Sequence, residues 1–267
     1  MSAELPIFEF SPGTTPLLIS IPHAGTGVPD SLVDKLTASA RGLPDTDWLV
    51  DELYGFAREL GVGTLRANFN RYVVDLNRPP DDTSLYDRNT TGLFPRIDFS
   101  GENIYREGSG PDESDCAERL NRYWKPYHYK LQGALNQLQQ QHGHAVLLDA
   151  HSIAAQLPML FAGTLPDFNL GSNDGCSADR RLVKMAYACL DDHPAYSSVL
   201  DGRFKGGYIT RHYGSPVDHV HALQLELSQA VYLAPAMNNT VDQDKYRQLQ
   251  PVLRQLIETL LQWKRHA

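Results

Sequence analysis

Two histidines of this 267-residue chain stand just beyond short apolar runs, and that placement makes them candidates for chemistry. His23 comes after the apolar residues 16–21, and His151 lies at the far end of the predicted strand 145–152. Neutral imidazole is the commonest metal ligand in proteins. Catalytic zinc takes three protein ligands and keeps one position open for water. The pair therefore points to a metal-dependent hydrolase.

A third apolar run, residues 222–227, carries Glu226 where the other two runs carry histidines. A buried carboxylate is costly unless it is paired, protonated or close to a metal ion. Beside a metal-activated water, such a carboxylate can act as the general base of a hydrolysis. A salt bridge from Glu226 to Arg78 or Arg211 is the structural alternative.

The third metal ligand is expected from an acidic segment in which Asp47, Asp51 and Glu52 are the candidates. If this segment is one helix, the phase of its apolar stripe places Glu52 at the edge of the buried face. The same phase places Asp47 and Asp51 on the opposite side. Helix phase alone therefore favours Glu52 and leaves the other two residues open.

Five polar residues in two clusters are candidates for holding an acidic substrate: Arg71, Asn77, Arg78, Thr210 and Arg211. The planar guanidinium of arginine suits bidentate binding of a carboxylate. Two such groups near strand ends would suit a small molecule with two carboxylates. Each arginine taken singly is more often a surface residue.

Placing these residues together requires strands whose carboxyl ends meet at one edge of a sheet. The apolar runs alternate with helical patterns over residues 30–40, 45–60, 115–141, 177–190 and 240–262. Strands that alternate with helices are typical of α/β domains, and ligands bind at the carboxyl ends of their strands. The sequence predicts a single α/β domain with a mixed, mostly parallel sheet flanked by helices.

Residues 79–114 are rich in proline, glycine and small polar residues and show no sustained period. A loop of this length inside a compact domain is uncommon and often functional. Its apolar side chains could pack against the rest of the domain: Leu85, Tyr86, Leu93, Phe94, Ile97 and Tyr105. We predict a lid or rim here, with a disordered excursion as the alternative, and strands before it at 63–68 and 72–76.

Composition narrows the class of protein. A net charge of −8 argues against a nucleic acid or an anionic membrane as partner. No apolar run approaches the roughly 20 residues that a membrane span needs, and residues 1–9 lack the basic region of a signal peptide. The three cysteines are widely spaced, which predicts a cytoplasmic protein without disulfides or a thiolate metal site.

Four strings of residues carry a resemblance to a known family: residues 21–25 (IPHAG), 71–78 (RYVVDLNR), 149–152 (DAHS) and 223–227 (LQLEL). The chain resembles the N-formylglutamate amidohydrolase family from about residue 5 to residue 262. The resemblance implies one domain over residues 1–267 with a zinc-exopeptidase-like (phosphorylase/hydrolase-like) fold. It also implies hydrolysis of N-formyl-L-glutamate to L-glutamate and formate, the last step of a histidine-degradation route.

The resemblance further implies one divalent metal ion, expected to be zinc, with two histidines and one acidic residue as ligands and a glutamate as base. Those roles fall on His23, His151 and Glu226, and the motif Trp48-x-x-Asp51 favours Asp51 as the acidic ligand over the residue that helix phase favours. The substrate would be a small dicarboxylate N-acyl amino acid. A deacylase for another N-acyl amino acid and a metal-free binding module are the alternatives.

Overall fold

The computed structural model describes residues 5–85, 90–235 and 237–264. Within them the chain forms nine strands: β1 Phe8–Ser11, β2 Leu17–Ile21, β3 Gly63–Ala67, β4 Ala145–Ile153, β5 Phe168–Gly171, β6 Ser198–Leu200, β7 Val220–Ser228, β8 Leu233–Ala234 and β9 Met237–Val241. The same residues form seven α-helices: α1 Asp30–Val33, α2 Val50–Leu53, α3 Glu113–Arg119, α4 Lys125–His142, α5 Arg180–Asp191, α6 Tyr208–Tyr213 and α7 Gln243–Gln262.

Seven of the strands form one sheet in the order β1-β3-β2-β4-β7-β5-β6. The pairs β3–β2, β2–β4, β4–β7 and β5–β6 are parallel, whereas β1 is antiparallel to β3 and β5 is antiparallel to β7. The two remaining strands, β8 and β9, pair with each other. The predicted fold class, an α/β domain with a mixed and mostly parallel sheet, is confirmed.

Helices cover both faces of the sheet, and this explains why its central strands are apolar on both sides. Val146, Leu148 and Ala150 of β4 pack with α2, α5 and α7 on one face. Ala145 and Leu147 of the same strand pack with α4 and α6 on the other face. Strand β4 therefore lies at the centre of the core. Its last residues lie on the side of the sheet where the parallel strands end.

The strands predicted over residues 16–21, 63–68, 145–152 and 222–227 correspond to β2, β3, β4 and β7. The long helix predicted before β4 also forms, as α3 and α4 joined through a π-helical stretch at Leu120–Trp124. These elements have strong apolar patterns in the sequence. The sheet positions that carry the candidate site were therefore predictable.

The strand predicted over residues 72–76 does not form. The backbone N–H of Val73 donates to Asn70 O at 2.9 Å, and that of Asp75 donates to Leu93 O at 2.8 Å. These donors serve turns and a neighbouring loop, so none of them joins a strand ladder. The segment is buried for another reason: its apolar side chains pack beneath the sheet on the α4 side.

The single helix predicted over residues 45–60 is also wrong. Leu49 has a left-handed φ of 60°, and only the four residues of α2 after it are α-helical. A 3₁₀-helix then covers Gly55–Leu60. Because a left-handed residue interrupts the helical rotation, the residues before and after Leu49 do not share one helix phase.

Much of the segment 79–114 is packed against the domain. Its residues Leu93 and Ile104 are buried, and Ile104 O accepts from Thr37 N at 3.0 Å, so the helix predicted over 30–40 is limited to α1. Residues 86–89, which include Tyr86, lie outside the described residues. Closure of this segment over the site stays a prediction.

A search of the described helices for a bilayer-spanning candidate finds none that combines the necessary length and apolarity.

Candidate active site

The carboxyl ends of parallel strands bring His23, His151 and Glu226 to one place. In the register of β4 and β7, His151 is the partner of Glu226. Strand β2 pairs with the other side of β4 and places His23 beyond its end. The two imidazole centroids are 4.9 Å apart, and all three side chains are buried. This is the sheet edge at which ligands of α/β proteins bind.

Asp47 supplies a carboxylate to both histidines. Its Oδ2 lies 2.9 Å from His151 Nδ1 and 3.8 Å from His23 Nδ1. One ligand atom from each of the three residues lies within 4.8 Å of the other two, and no second group of this kind occurs among residues 5–85, 90–235 and 237–264. Asp47 therefore stands where the acidic ligand was expected.

The structure does not bring Asp51 or Glu52 to the histidines. The Asp51 carboxylate is partly exposed and forms an ion pair with Arg66, whose Nε lies 2.7 Å from Oδ2, while Glu52 is exposed. The left-handed turn at Leu49 directs the chain away from the site after Asp47. The structure therefore places Asp51, the predicted acidic ligand, away from the histidines, and Asp47, one of the alternatives, beside them.

Each histidine holds a further buried carboxylate at its other ring nitrogen. His23 Nε2 lies 2.8 Å from Asp75 Oδ1, and His151 Nε2 lies 2.9 Å from Asp149 Oδ2. In a neutral imidazole, donation from Nε2 leaves the lone pair on Nδ1, and both Nδ1 atoms face Asp47. Metal-bound histidines are usually oriented by a carboxylate in this way. The donor set therefore fits a divalent cation.

Arg71 provides a buried positive charge within this network. Its Nη2 donates to Asp47 Oδ1 at 2.9 Å and to His23 Nδ1. Burial lowers the pKa of Arg71, but the carboxylates of Asp47 and Asp75 outweigh burial and raise it. Arg71 therefore lines the site as the counter-charge to its carboxylates, which leaves its predicted role in substrate binding as a prediction.

The two histidines respond differently to these charges. Burial lowers the pKa of both, and at His151 the carboxylates of Asp149 and Asp47 reverse the effect and raise it well above its usual value. At His23 the Arg71 guanidinium adds to burial, so the pKa stays lowered despite Asp75. Of the two rings, His23 is therefore the one that loses its proton more readily.

Glu226 is buried beside His151, and its pKa is raised to about 8 because burial disfavours the charged carboxylate. The only side-chain hydrogen bond shown for it among the described residues is a long one, from Gln224 Nε2 to its Oε2 at 3.4 Å. A carboxyl whose pKa lies close to neutrality is suited to accept and return a proton.

The site opens into a cavity whose wall combines the two histidines, three arginines and several apolar side chains. The wall is formed by His23, Arg71, Asn77, Arg78, Thr90, Thr91, Phe99, His151, Ser152, Ile153, Leu160, Arg203, Phe204, Gly207, Gln224 and Glu226. Three of the five predicted substrate-binding residues therefore lie at the cavity.

Asn77 and Arg78 are fixed in this wall by hydrogen bonds. Asn77 Oδ1 accepts from Ile209 N at 2.8 Å, and its Nδ2 lies 3.1 Å from His151 Nε2. Arg78 donates to Thr91 O from Nε at 2.8 Å, to Asn77 O from Nη1 at 3.1 Å and to Thr90 Oγ1 from Nη2 at 2.9 Å. Because all three acceptors of Arg78 are neutral, these bonds orient the guanidinium without cancelling its charge.

Thr210 and Arg211 do not line the cavity. Thr210 is fully buried, and its methyl group packs under the backbone of Gly206. Arg211 donates from Nε to Gly206 O at 2.8 Å. Both residues belong to α6 and support the loop before it, so their predicted contact with substrate has no geometric basis here.

Sequence reasoning missed two residues of the site. Asp75 lies inside the RYVVDLNR string, and its position next to the expected ligands could have identified it as a partner for histidine. Arg203 lies in a short loop with no pattern around it, and no signal in the sequence marks it. Its place at the cavity depends on how that loop folds.

Comparisons with known proteins agree on one family. The profile of the N-formylglutamate amidohydrolase family matches residues 15–233. An N-formylglutamate deformylase of Pseudomonas putida is 47% identical over 257 residues, which are 96% of this chain and 96% of that protein. The N-formylglutamate deformylase of Pseudomonas aeruginosa is 47% identical over 259 residues and 97% of each chain.

A solved structure shows the same fold. The crystal structure of an N-formylglutamate amidohydrolase from Ralstonia eutropha JMP134 superposes with a TM-score of 0.80, covers 95% of both chains and is 24% identical in sequence. The similarity extends over nearly the whole chain, so the sheet and the elements that form the site lie within the shared fold.

Proposed function

The chain belongs to the N-formylglutamate amidohydrolase family, and on that premise we propose that it hydrolyses N-formyl-L-glutamate to L-glutamate and formate with the help of one divalent metal ion. The observation that carries this proposal is the arrangement of His23, Asp47 and His151. Both Nδ1 atoms face one carboxylate, while each Nε2 is held by a separate buried carboxylate.

Zinc is the metal we propose. Two imidazoles and one carboxylate form the kind of three-ligand set that catalytic zinc uses, with a fourth position left open. When bound, the ion would polarise the formyl oxygen and lower the pKa of a nearby water towards 7. Asp75 and Asp149 would orient the ligand rings, and Arg71 would offset the negative charge of the buried carboxylates.

Glu226 is the proposed general base. It would take a proton from the attacking water as the new C–O bond forms at the formyl carbon. It would then give that proton to the amine nitrogen as the C–N bond breaks, so that formate and the free amino acid leave. Its burial and raised pKa support both halves of this role.

Arg78 is the proposed partner of the α-carboxylate. This carboxylate is close to the scissile amide in the substrate, and Arg78 is close to the ligand cluster, because it adjoins Asn77, which contacts His151. The guanidinium is already oriented by three neutral acceptors, so less side-chain freedom is lost when a carboxylate binds.

Metal analysis of variants that differ by one acidic residue tests the proposal. Asp47→Ala should lose the metal ion and the hydrolysis of N-formyl-L-glutamate. Asp51→Ala removes an acid four residues further on and should retain both, since Asp51 contacts Arg66 outside the site. Glu226→Gln should keep the metal but lose about 10²- to 10⁴-fold in kcat.

Three results would contradict the proposal. Full activity of metal-free protein would show that the reaction does not need a metal ion. Metal loss in Glu226→Gln would show that Glu226 is a metal ligand and not only the base. If the wild-type enzyme prefers another N-acyl amino acid, the proposed reaction would stand but the proposed substrate would be wrong. Hydrolysis of N-formyl-L-glutamate would agree with a place at the end of a histidine-degradation route, as the family resemblance implies.

A further inference from the structure

The loop 201–207 between β6 and α6 brings Arg203 to the cavity and is anchored at both ends. Asp201 accepts from the backbone N–H of Ser172 at 2.7 Å. At the other end, Gly207 donates its N–H to Gln224 Oε1 at 2.8 Å. A loop fixed to the sheet at two points holds the side chains between them in defined positions.

The Arg203 side chain is itself held. Its Nε donates to Leu160 O at 2.8 Å. Its guanidinium carbon lies 5.3 Å from the centre of the Phe204 ring. These contacts hold the guanidinium at the cavity, and a guanidinium is suited to bind a carboxylate through charge-assisted hydrogen bonds.

Apolar side chains form the cavity wall near Arg203. Leu160, Phe161 and Phe204 pack around the small cluster of Phe99 and Ile153, and four of these five side chains line the cavity. An aliphatic chain fits such a wall, whereas a charged group needs the guanidinium at its end. The wall therefore suits an aliphatic chain that ends in a carboxylate.

The three arginines of the cavity are not equivalent. Arg71 is bound to the Asp47 carboxylate inside the ligand cluster. Arg78 adjoins Asn77, which contacts His151. Arg203 stands on a separate loop beside the apolar wall, so it is the cationic group best placed to meet a carboxylate that is remote from the scissile amide.

We infer that Arg203 binds the side-chain carboxylate of the substrate and sets the preference for N-formylglutamate over its uncharged analogues. The inference rests on the proposed function, because it assigns a specificity residue to that reaction. It replaces Arg211, which the sequence favoured for a carboxylate contact but which the structure places outside the cavity wall.

The test compares two substrates in each of two matched variants. Arg203→Met removes the charge and keeps a long side chain beside Phe204. Arg211→Met makes the same change at the next arginine of the chain, in α6. The substrates are N-formyl-L-glutamate and N-formyl-L-glutamine, which have the same shape and differ in the side-chain charge. The readout is the ratio of kcat/KM for the two substrates.

Arg203→Met should lower kcat/KM for N-formyl-L-glutamate by at least about tenfold and that for N-formyl-L-glutamine by less than about threefold. The ratio should therefore collapse in Arg203→Met and persist in Arg211→Met. Because both rates come from one preparation, the ratio does not depend on the fraction of the variant that folds. Arg203→Lys should restore part of the preference.

An unchanged ratio in Arg203→Met, or equal losses on both substrates, would overturn the inference and make Arg203 a structural residue. A collapse in Arg211→Met alone would return the role to Arg211. Failure of the wild-type enzyme to hydrolyse N-formyl-L-glutamate would instead contradict the proposed function, and the wild-type assay reports that result separately.

Discussion

Two buried histidines on different elements of the domain, His151 and His128, have opposite environments. His151 lies at the end of β4 between the carboxylates of Asp47 and Asp149. His128 lies in α4, stacked on Trp124 with ring centroids 3.8 Å apart. Burial lowers the pKa of each ring, but only His151 has carboxylates that reverse the effect and raise it. The pKa of His128 falls to about 3.

Burial keeps the His128 ring neutral by lowering its pKa, and its hydrogen bonds fit a neutral ring. Its Nε2 lies 2.9 Å from Leu76 O and donates to it. Its Nδ1 is then left to accept from the Tyr213 hydroxyl at 2.8 Å. A protonated ring would have to reverse the second bond, with Nδ1 donating to the Tyr213 oxygen, and would carry a charge among aromatic side chains. Burial of a histidine therefore does not mark a site; the charges of its neighbours do.

The largest effect should separate the two histidines by metal content. His151→Ala removes a proposed ligand and should abolish both metal binding and hydrolysis of N-formyl-L-glutamate. His128→Phe leaves the ligand cluster intact and should retain one metal ion per chain. Elemental analysis of the purified variants measures this difference. Equal metal loss in both variants would break the comparison.

A smaller effect is expected one contact away from the ligand. Asp149→Asn removes the charge that orients His151 through Nε2 and should cost about 10- to 100-fold in metal affinity or activity. Ser20→Ala is the matched control, since it removes only a hydroxyl that donates to Asp149 Oδ1 at 3.0 Å. Competition with a metal chelator measures both affinities, and equal losses would show that the charge of Asp149 is unimportant.

His128 should make the stability of the fold depend on pH. The unfolded chain takes up a proton at this residue below about pH 6.5, whereas the folded chain, with a pKa of about 3, does not. Stability is therefore lost as the pH falls through this window, by about 2 kcal/mol between pH 7 and pH 5.

His128→Phe should lack this loss. The measurement is the free energy of urea unfolding of both proteins at the two pH values. Because both proteins carry the same metal site, its titration cancels in the difference between them. Parallel curves for the wild type and His128→Phe would show that His128 is protonated in the fold, and the contrast with His151 would disappear.

The smallest effect concerns the donor to His128. Tyr213→Phe removes the hydroxyl that bonds Nδ1 and should lower the free energy of unfolding by about 1 kcal/mol. Metal content and kcat should not change, since Tyr213 lies outside the cavity wall. A change in kcat would connect this aromatic pocket to the site and weaken the distinction between the two histidines.

The sequence was most informative where apolar runs fix an element. Strands β2, β4 and β7 form as predicted, and their direction alone places His23, His151 and Glu226 at one edge. Strand pairing is repetitive, so one correct strand assignment positions every residue along it. The alternation of β7 likewise made Glu226 visible as the carboxylate of an apolar strand.

Asp47, the proposed acidic ligand, could not be identified by the same reasoning. Helix phase compared Asp47, Asp51 and Glu52 as if they lay on one helix, but the left-handed φ of 60° at Leu49 separates the first from the other two. A non-glycine residue in this conformation is uncommon, and no residue type predicts it. Arg203 was missed because its position depends on contacts distant in sequence, such as the one with Leu160.

The close approach of Gly207 to the site has a consequence for anyone who would redesign this enzyme. A Cβ atom at position 207 would lie 2.5 Å from Cγ and Oδ1 of Asn77. Asn77 cannot easily retreat, because its Oδ1 accepts from Ile209 N at 2.8 Å and its Nδ2 contacts His151. A randomised library aimed at new substrates should therefore vary position 203 freely and leave glycine at 207, where any side chain would disturb a ligand ring.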